Sequence, residues 1–202
     1  MLDELPEFPR HALEHLRQPL EDGHVTVSRA LGAVRFPSRF MLVAAMNPCP
    51  CGFADDPRRD CTCRLHVREH YKKKMSGPLM DRIDLVIEVP NLDVGKLFDE
   101  SRPEGSAAVR LRVEAARGRQ TARFADTGLF TNAEIPASRL DDWCRVDPAG
   151  RTLLEAAVSS GRLSARGLAR VRKVARTIAD LAGTEGITRE HVAEALQYRL
   201  PN

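Results

Sequence analysis

Six consecutive apolar residues, 40–45, run directly into Met46-Asn47-Pro48-Cys49-Pro50-Cys51-Gly52, and this junction constrains the chain more than any other stretch. An unbroken apolar run of this length, bounded by turn residues, predicts a central strand of a parallel sheet covered on both faces. Such a strand delivers Asn47 to its carboxyl end, and a Cys-x-Cys pair follows at once. One short segment thus offers a polar side chain aimed at a site and half of a thiolate clip.

The flanking pattern is mixed at first and helical later. Pro9 suits a helix's first turn, Ala12, Leu13, Leu16 and Leu20 recur at helical spacing, and Gly23 ends the run. Pro19 predicts a kinked or frayed last turn. Residues 25–28 and 33–36 are short β-type runs and read as a hairpin. Residues 65–74 form a basic helix, and residues 83–89 alternate as a second strand. Beyond Pro90 helices are expected throughout. Ser106 caps an Arg-rich helix with Val109, Val113 and Ala116 on one face, and Asp147-Pro148 opens another with Leu153, Leu154, Ala157 and Val158. Ser164 opens the most amphipathic helix, with Leu168, Val171, Ala175, Ile178 and Ala182 in a stripe that Gly183 ends, and Thr188 caps the last. The fold class is therefore α/β to residue 90 followed by all-α over 91–202.

The bulk numbers exclude little. The chain has 202 residues with 31 Lys and Arg against 28 Asp and Glu, so a polyanion partner requires a local basic patch. No run approaches the roughly 20 apolar residues of a membrane helix. The N-terminus has no export-signal pattern, so the five Cys are expected to be cytoplasmic and reduced. Clustered Cys in that setting points to metal before disulfide.

Several residue groups carry chemistry. Asp3-Glu4 follows a single apolar residue. At a strand's carboxyl end such a pair holds Mg²⁺ and orients an attacking water, whereas at a frayed terminus it is only solvated. Asn47 offers donor and acceptor together, enough to hold both a water and a phosphate, and Asn-Pro is equally a turn starter. Arg82 stands just before a strand, fit either to stabilise charge on a transferring phosphoryl group or to pair with Asp81 or Asp84. Cys49-x-Cys51 and Cys61-x-Cys63, with nine residues between the pairs, supply four soft ligands for a structural Zn²⁺. The one-residue spacing demands turns at Pro50 and Thr62, since extended chain holds the sulfurs too far apart. His66 and His70 are possible substitutes, and four reduced thiols, a disulfide or an iron–sulfur cluster remain alternatives. Cys144 beside Trp143 reads as a half-buried thiol. The basic residues from Arg64 to Lys74 suit nucleic acid, a neighbouring subunit or plain solvation, and those from Arg162 to Arg176 suit solvent or an interface.

Leu2-Asp3-Glu4-Leu5-Pro6-Glu7-Phe8, Pro19-Leu20-Glu21-Asp22-Gly23, the Asn47 junction, Ser76-Gly77-Pro78-Leu79-Met80-Asp81-Arg82-Ile83-Asp84 and Val174-Ala175-Arg176-Thr177-Ile178-Ala179-Asp180-Leu181 occur in this order. Together they resemble the ComM (YifB) family of magnesium-chelatase-like AAA+ ATPases. The resemblance implies the back half of an AAA+ core over 1–90 and a helical lid over 91–202. It implies Walker B roles for Asp3 and Glu4, sensor 1 for Asn47, and an arginine finger at Arg82 reaching a neighbouring subunit. It places sensor 2 at Arg166, with Arg170 as fallback, and DNA contacts at Arg29 and Arg35 on the hairpin. It further implies ATP and Mg²⁺ as cofactors, a hexameric ring of identical subunits, and helicase action at branched DNA during recombination and natural transformation. These 202 residues contain no G-x-x-x-x-G-K-[ST]. The expectation is thus a C-terminal fragment of a DNA motor that does not hydrolyse ATP alone. The alternatives are a magnesium-chelatase ATPase subunit and a non-enzymatic remnant.

Overall fold

The computed structural model describes residues 1–30, 32–90 and 104–199. It forms two compact units, Met1–Ile83 and Asp84–Asn202. The boundary expected at 90 abuts residues 91–103, which lie outside the described residues.

The first unit opens on a 3-10 turn, Leu5–Glu7, then α1 (Arg10–His15) and α2 (Arg17–Asp22). Pro19 acts one turn earlier than expected. It has no N–H for the carbonyl of His15, so the helix is interrupted at Leu16 while the last turn continues to Gly23. Gly23 takes the left-handed conformation (φ 66°), and its N–H closes on the Pro19 carbonyl at 3.0 Å. Leu5, Leu13 and Leu79 make a small core, with Leu2, Leu16, Leu20 and Met75 against it.

Strands β1 (His24–Arg29) and β2 (Gly32–Pro37) pair antiparallel as the expected hairpin. Val25 opposes Phe36 and Val27 opposes Val34, so one face is apolar and the other carries Thr26 and Arg35. Val27, Val34 and Phe36 are 40%, 56% and 52% exposed, so the hairpin stands clear of the core. Helix α3 (Leu65–Lys73) buries Tyr71, and the short α4 (Gly77–Met80) is capped by Ser76, whose hydroxyl accepts the Leu79 N–H at 3.3 Å.

Residues 40–45 do not form the buried central strand that their composition predicts. They are extended but make one parallel bridge, Leu2 to Ala44, and Phe40, Met41 and Val43 are exposed. Residues 83–89 likewise take no strand pairing among the described residues, and Leu85, Ile87 and Val89 are exposed. Apolar pattern encodes a propensity for burial, but burial needs a neighbour on each side. Among the described residues only the Leu2 segment pairs with 40–45.

The second unit contains α5 (Ser106–Arg123), the short α6 (Leu140–Trp143), α7 (Pro148–Ser159), α8 (Ala165–Ala182) and α9 (Arg189–Gln197). Three N-caps follow the sequence reading. Asp147 accepts the Gly150 N–H at 2.6 Å, Ser164 accepts that of Gly167 at 3.1 Å, and Thr188 forms a capping box with His191. The helix expected to be capped by Ser106 is instead preceded by Gly105, and no side chain caps it. Its face is also narrower than expected. Ala116 is buried, whereas Val109 and Val113 are largely exposed.

The core joins Leu154, Val171, Ala175, Ala179, Val192 and Leu196, with Leu153, Leu168 and Ile178 partly buried around them. Cys144 is fully buried rather than half-buried, and burial pushes its thiol up to about 11. The cations of α8 are mostly not left to solvent. Arg172 reaches Asp141 at 2.6 Å and the Cys144 carbonyl at 3.0 Å, Lys173 reaches the Ala133 carbonyl at 2.9 Å, and Arg176 is buried against the Thr184 carbonyl at 2.6 Å. They draw the loops around α8 onto it. Among the described residues, no helix is long and apolar enough to cross a membrane.

Candidate functional site

The parallel bridge sets two chain segments side by side. The Leu2 N–H donates to the Val43 carbonyl at 2.8 Å, the Ala45 N–H donates to the Leu2 carbonyl at 2.9 Å, and the Leu5 N–H donates to the Ala45 carbonyl at 2.9 Å. Because the segments run parallel, Asp3-Glu4 and Met46-Asn47 leave at the same end. Asp3, Glu4 and Asn47 are all exposed there. Glu4 holds a left-handed backbone (φ 50°), rare for a residue with a side chain, and its N–H donates to the Asp3 carboxylate at 2.9 Å. Just behind Asn47, Tyr71 of α3 brings its buried hydroxyl to the Asn47 backbone. Burial and then the charge of Glu7 raise the Tyr71 pKa, so the hydroxyl stays protonated.

Arg82 lies elsewhere in the same unit. It is buried, and its guanidinium donates to the Pro78 carbonyl at 2.6 Å and pairs with Glu21 of α2. Its Nε has no partner among the described residues. Pairing with Glu21 replaces both local alternatives, Asp81 and Asp84, and was invisible in sequence because 61 positions separate the partners. Arg166 and Arg170 belong to the second unit, on the first turns of α8. Arg166 is exposed, and Arg170 pairs with Asp84. On the hairpin, Arg29 sits at the end of β1 opposite Gly32, on the apolar face. Arg35 lies on the opposite face, its Nη2 2.8 Å from His24 Nδ1. The two arginines therefore do not share one surface of the ribbon.

The four loop cysteines converge. Cys49, Cys51, Cys61 and Cys63 place their sulfurs within 4.8 Å of one another, with Cys49 fully buried. Three separations are 3.4, 3.6 and 3.5 Å. A tetrahedral Zn²⁺ with bonds of about 2.3 Å requires sulfur–sulfur edges of about 3.8 Å, so little movement is needed. A disulfide requires about 2.05 Å, and all four thiols are free. The turn required at Pro50 is present: the Gly52 N–H bonds the Cys49 carbonyl at 3.0 Å, and Gly52 takes φ 83°. Backbone N–H groups complete the setting. The Phe53 N–H first, then the Cys49 and Cys63 thiols and last the Thr62 N–H, outweigh burial and hold the Cys51 thiol at about 5. The Cys63 N–H lowers the Cys61 thiol, but burial and the neighbouring thiols outweigh it and push Cys61 up to about 11. One thiolate thus forms easily and its neighbours resist, a conflict that a bound cation relieves. Among the described residues, the metal-competent group contains these four cysteines and neither His66 nor His70.

A family model described as magnesium chelatase, subunit ChlI, matches residues 1–97, and its C-terminal counterpart matches residues 103–199. The chain belongs to the magnesium-chelatase-like AAA+ proteins, in the group of ComM and YifB. It is 42% identical over 199 residues to competence protein ComM of Haemophilus influenzae, covering 98% of this chain and 38% of that protein. It is 41% identical over 199 residues to the uncharacterised YifB of Escherichia coli, with the same coverage. An uncharacterised Mycobacterium bovis protein is 41% identical over 198 residues, covering 98% of this chain and 39% of that one. The chain thus spans about two-fifths of the length of these relatives.

Proposed function

We propose that this chain supplies the hydrolytic half-site and lid of a ring-forming, ATP-driven motor acting on branched DNA in recombination, including natural transformation. The observation that carries this reading is the Leu2–Ala44 bridge, which sets the acidic pair and Asn47 at one end of two parallel segments. In this reading Asp3 holds Mg²⁺, Glu4 orients and deprotonates the attacking water, and Asn47 bridges that water and the terminal phosphate. ATP with Mg²⁺ supplies the phosphoryl group and the cation that neutralises its charge. Tyr71 and the cysteine loop fix the backbone from which the Asn47 amide projects. Arg82 stabilises charge in a neighbouring subunit's site, and in doing so exchanges Glu21 for phosphate. Arg166, or Arg170 one turn on, closes the lid over the nucleotide, and Arg29 and Arg35 meet DNA. The phosphate-cradling loop is not among these 202 residues, so the chain by itself neither holds ATP nor hydrolyses it. The four cysteines hold a structural Zn²⁺. The working form is a hexamer in the cytoplasm.

A second reading has an observation of its own, since both matching family models describe a magnesium chelatase subunit. An ATPase of that kind drives magnesium insertion into a porphyrin and needs a large chelatase subunit as partner. Two parallel measurements separate the readings: fluorescence anisotropy with a labelled four-way DNA junction, and capture on the immobilised large chelatase subunit. The motor reading expects binding to the junction and none to the chelatase subunit. The reverse result overturns it.

A further inference from the structure

Helix α3 (Leu65–Lys73) starts two residues after Cys63, so the cysteine loop fixes where it begins. Its inner side is anchored by Tyr71, 4% exposed, and its far end by Lys74, which reaches Glu7 at 3.6 Å. At 100° per residue, with Tyr71 inward, Arg68 and Lys72 lie about 60° and about 100° round one flank of the helix and Lys73 closes that basic face at about 160° from Tyr71, while His66 and His70 lie on the other flank. Arg64, His66, His70, Lys72 and Lys73 are exposed and Arg68 is half-exposed. Arg64, Arg68, Lys72 and Lys73 have no ion-pair partner among the described residues.

The charge on this face is out of proportion to the chain. From Arg64 to Lys74 five Lys and Arg face the single Glu69, against 31 and 28 overall. Arg68 and Lys72 also stand at i,i+4, with Arg64 at the N-cap one turn before them, a spacing at which like charges repel. A rigid helix that retains such repulsion presents a field suited to an extended anion.

We propose that this face of α3 is a DNA-backbone site separate from the hairpin arginines. The proposal rests on the motor reading and adds a second DNA-binding surface to it. From Arg64 to Lys74 the helix runs about 15 Å, room for about four phosphates along one strand. No Phe, Tyr or Trp ring is free among the cations: Tyr71 is buried, and Phe53 in the preceding loop is covered by Arg59 at 4.1 Å. Without a stacking platform the site grips the duplex backbone, and it does so without sequence preference.

The test is anisotropy of a labelled duplex titrated with the whole chain, repeated between about 50 and 200 mM salt. The variants are the triple Arg68→Gln, Lys72→Gln, Lys73→Gln and the double Arg29→Gln, Arg35→Gln. The triple variant is expected to weaken binding about tenfold or more at the lower salt, equally for unrelated sequences. Its salt slope should fall by roughly 2 to 3, about 0.9 for each phosphate that is no longer neutralised. Lys72→Arg, which keeps the charge, should bind as the parent does, and circular dichroism checks that helix content is retained. A triple variant with the parent's affinity and slope overturns the α3 site. If the double variant alone loses binding, the motor reading stands while the α3 site falls. A parent chain that ignores the duplex at the lower salt overturns both.

Discussion

Asp180 has no exposed surface, and it is surrounded by donors. Arg123 grips its carboxylate with both terminal nitrogens, one of them at 2.8 Å, Asn132 donates at 2.8 Å, and Arg176 lies 3.1 Å away. Burial opposes its ionisation, but these partners outweigh burial and hold the carboxyl below the usual carboxylate range. It ties α5, the Asn132 turn and α8 together. Removing one partner strands buried charge, so Asp180→Ala is expected to cost about 3–5 kcal/mol in denaturant unfolding. Asp142→Ala, which removes an exposed pair with Arg139, should change little. The pH dependence follows from the direction of the shift. With the folded pKa below the unfolded one, the stabilisation is complete above about pH 5 and fades as pH falls through the carboxylate range. The melting gap between the parent and Asp180→Asn should therefore shrink toward acid. A gap that stays constant with pH would contradict this account. Of this network only the i,i+4 pair of Arg176 with Asp180 lies within reach of helical spacing. Arg123 and Asp180 are 57 positions apart, and nothing local to either marks the other.

At the scale of elements, what could be read was what three or four neighbouring residues decide. The Asp147, Ser164 and Thr188 caps and the Gly23 and Gly183 stops are such features, as is the 24–37 hairpin. Apart from the Ser106 cap and the place of the Pro19 break, the misreadings concern burial, which neighbours in sequence do not decide. Residues 40–45 look like a central strand because they are apolar, yet the described fold gives them one bridge. The face of α5 narrows to Ala116 and Gln120 for the same reason. The cysteine loop lies between these cases. Its composition announced a metal site, and the turn at Pro50 was required by the spacing, but the backbone N–H groups aimed at Cys51 were not foreseeable. Zinc release by an oxidant of thiols, followed with a chromophoric chelator, should yield close to one equivalent per chain. Cys49→Ser should lower that yield and loosen the 47–63 loop in hydrogen exchange. Metal-free protein with the same loop protection would count against a structural zinc.

For the whole molecule, the two units hold different parts of one proposed machine. The first carries Asp3, Glu4, Asn47 and Arg82, and the second carries Arg166 and Arg170. Of these, Asp3, Glu4 and Asn47 are gathered by backbone hydrogen bonds, through Leu2 and Ala45. Arg82 is engaged with Glu21, a partner it would have to leave to take the role proposed for it at another subunit's nucleotide. Among the described residues, the apolar cluster of the first unit is built on Leu5, Leu13 and Leu79, while the helical unit has the larger one. The order of motifs made the family readable. The partners of each charged residue became visible only in three dimensions.

The central claim is that this chain contributes catalytic side chains to a nucleotide that its own residues do not cradle. Isothermal calorimetry of MgATP into the purified 202-residue chain tests it most directly. The account predicts no saturable heat in the micromolar range. A micromolar isotherm approaching one nucleotide per chain would contradict it.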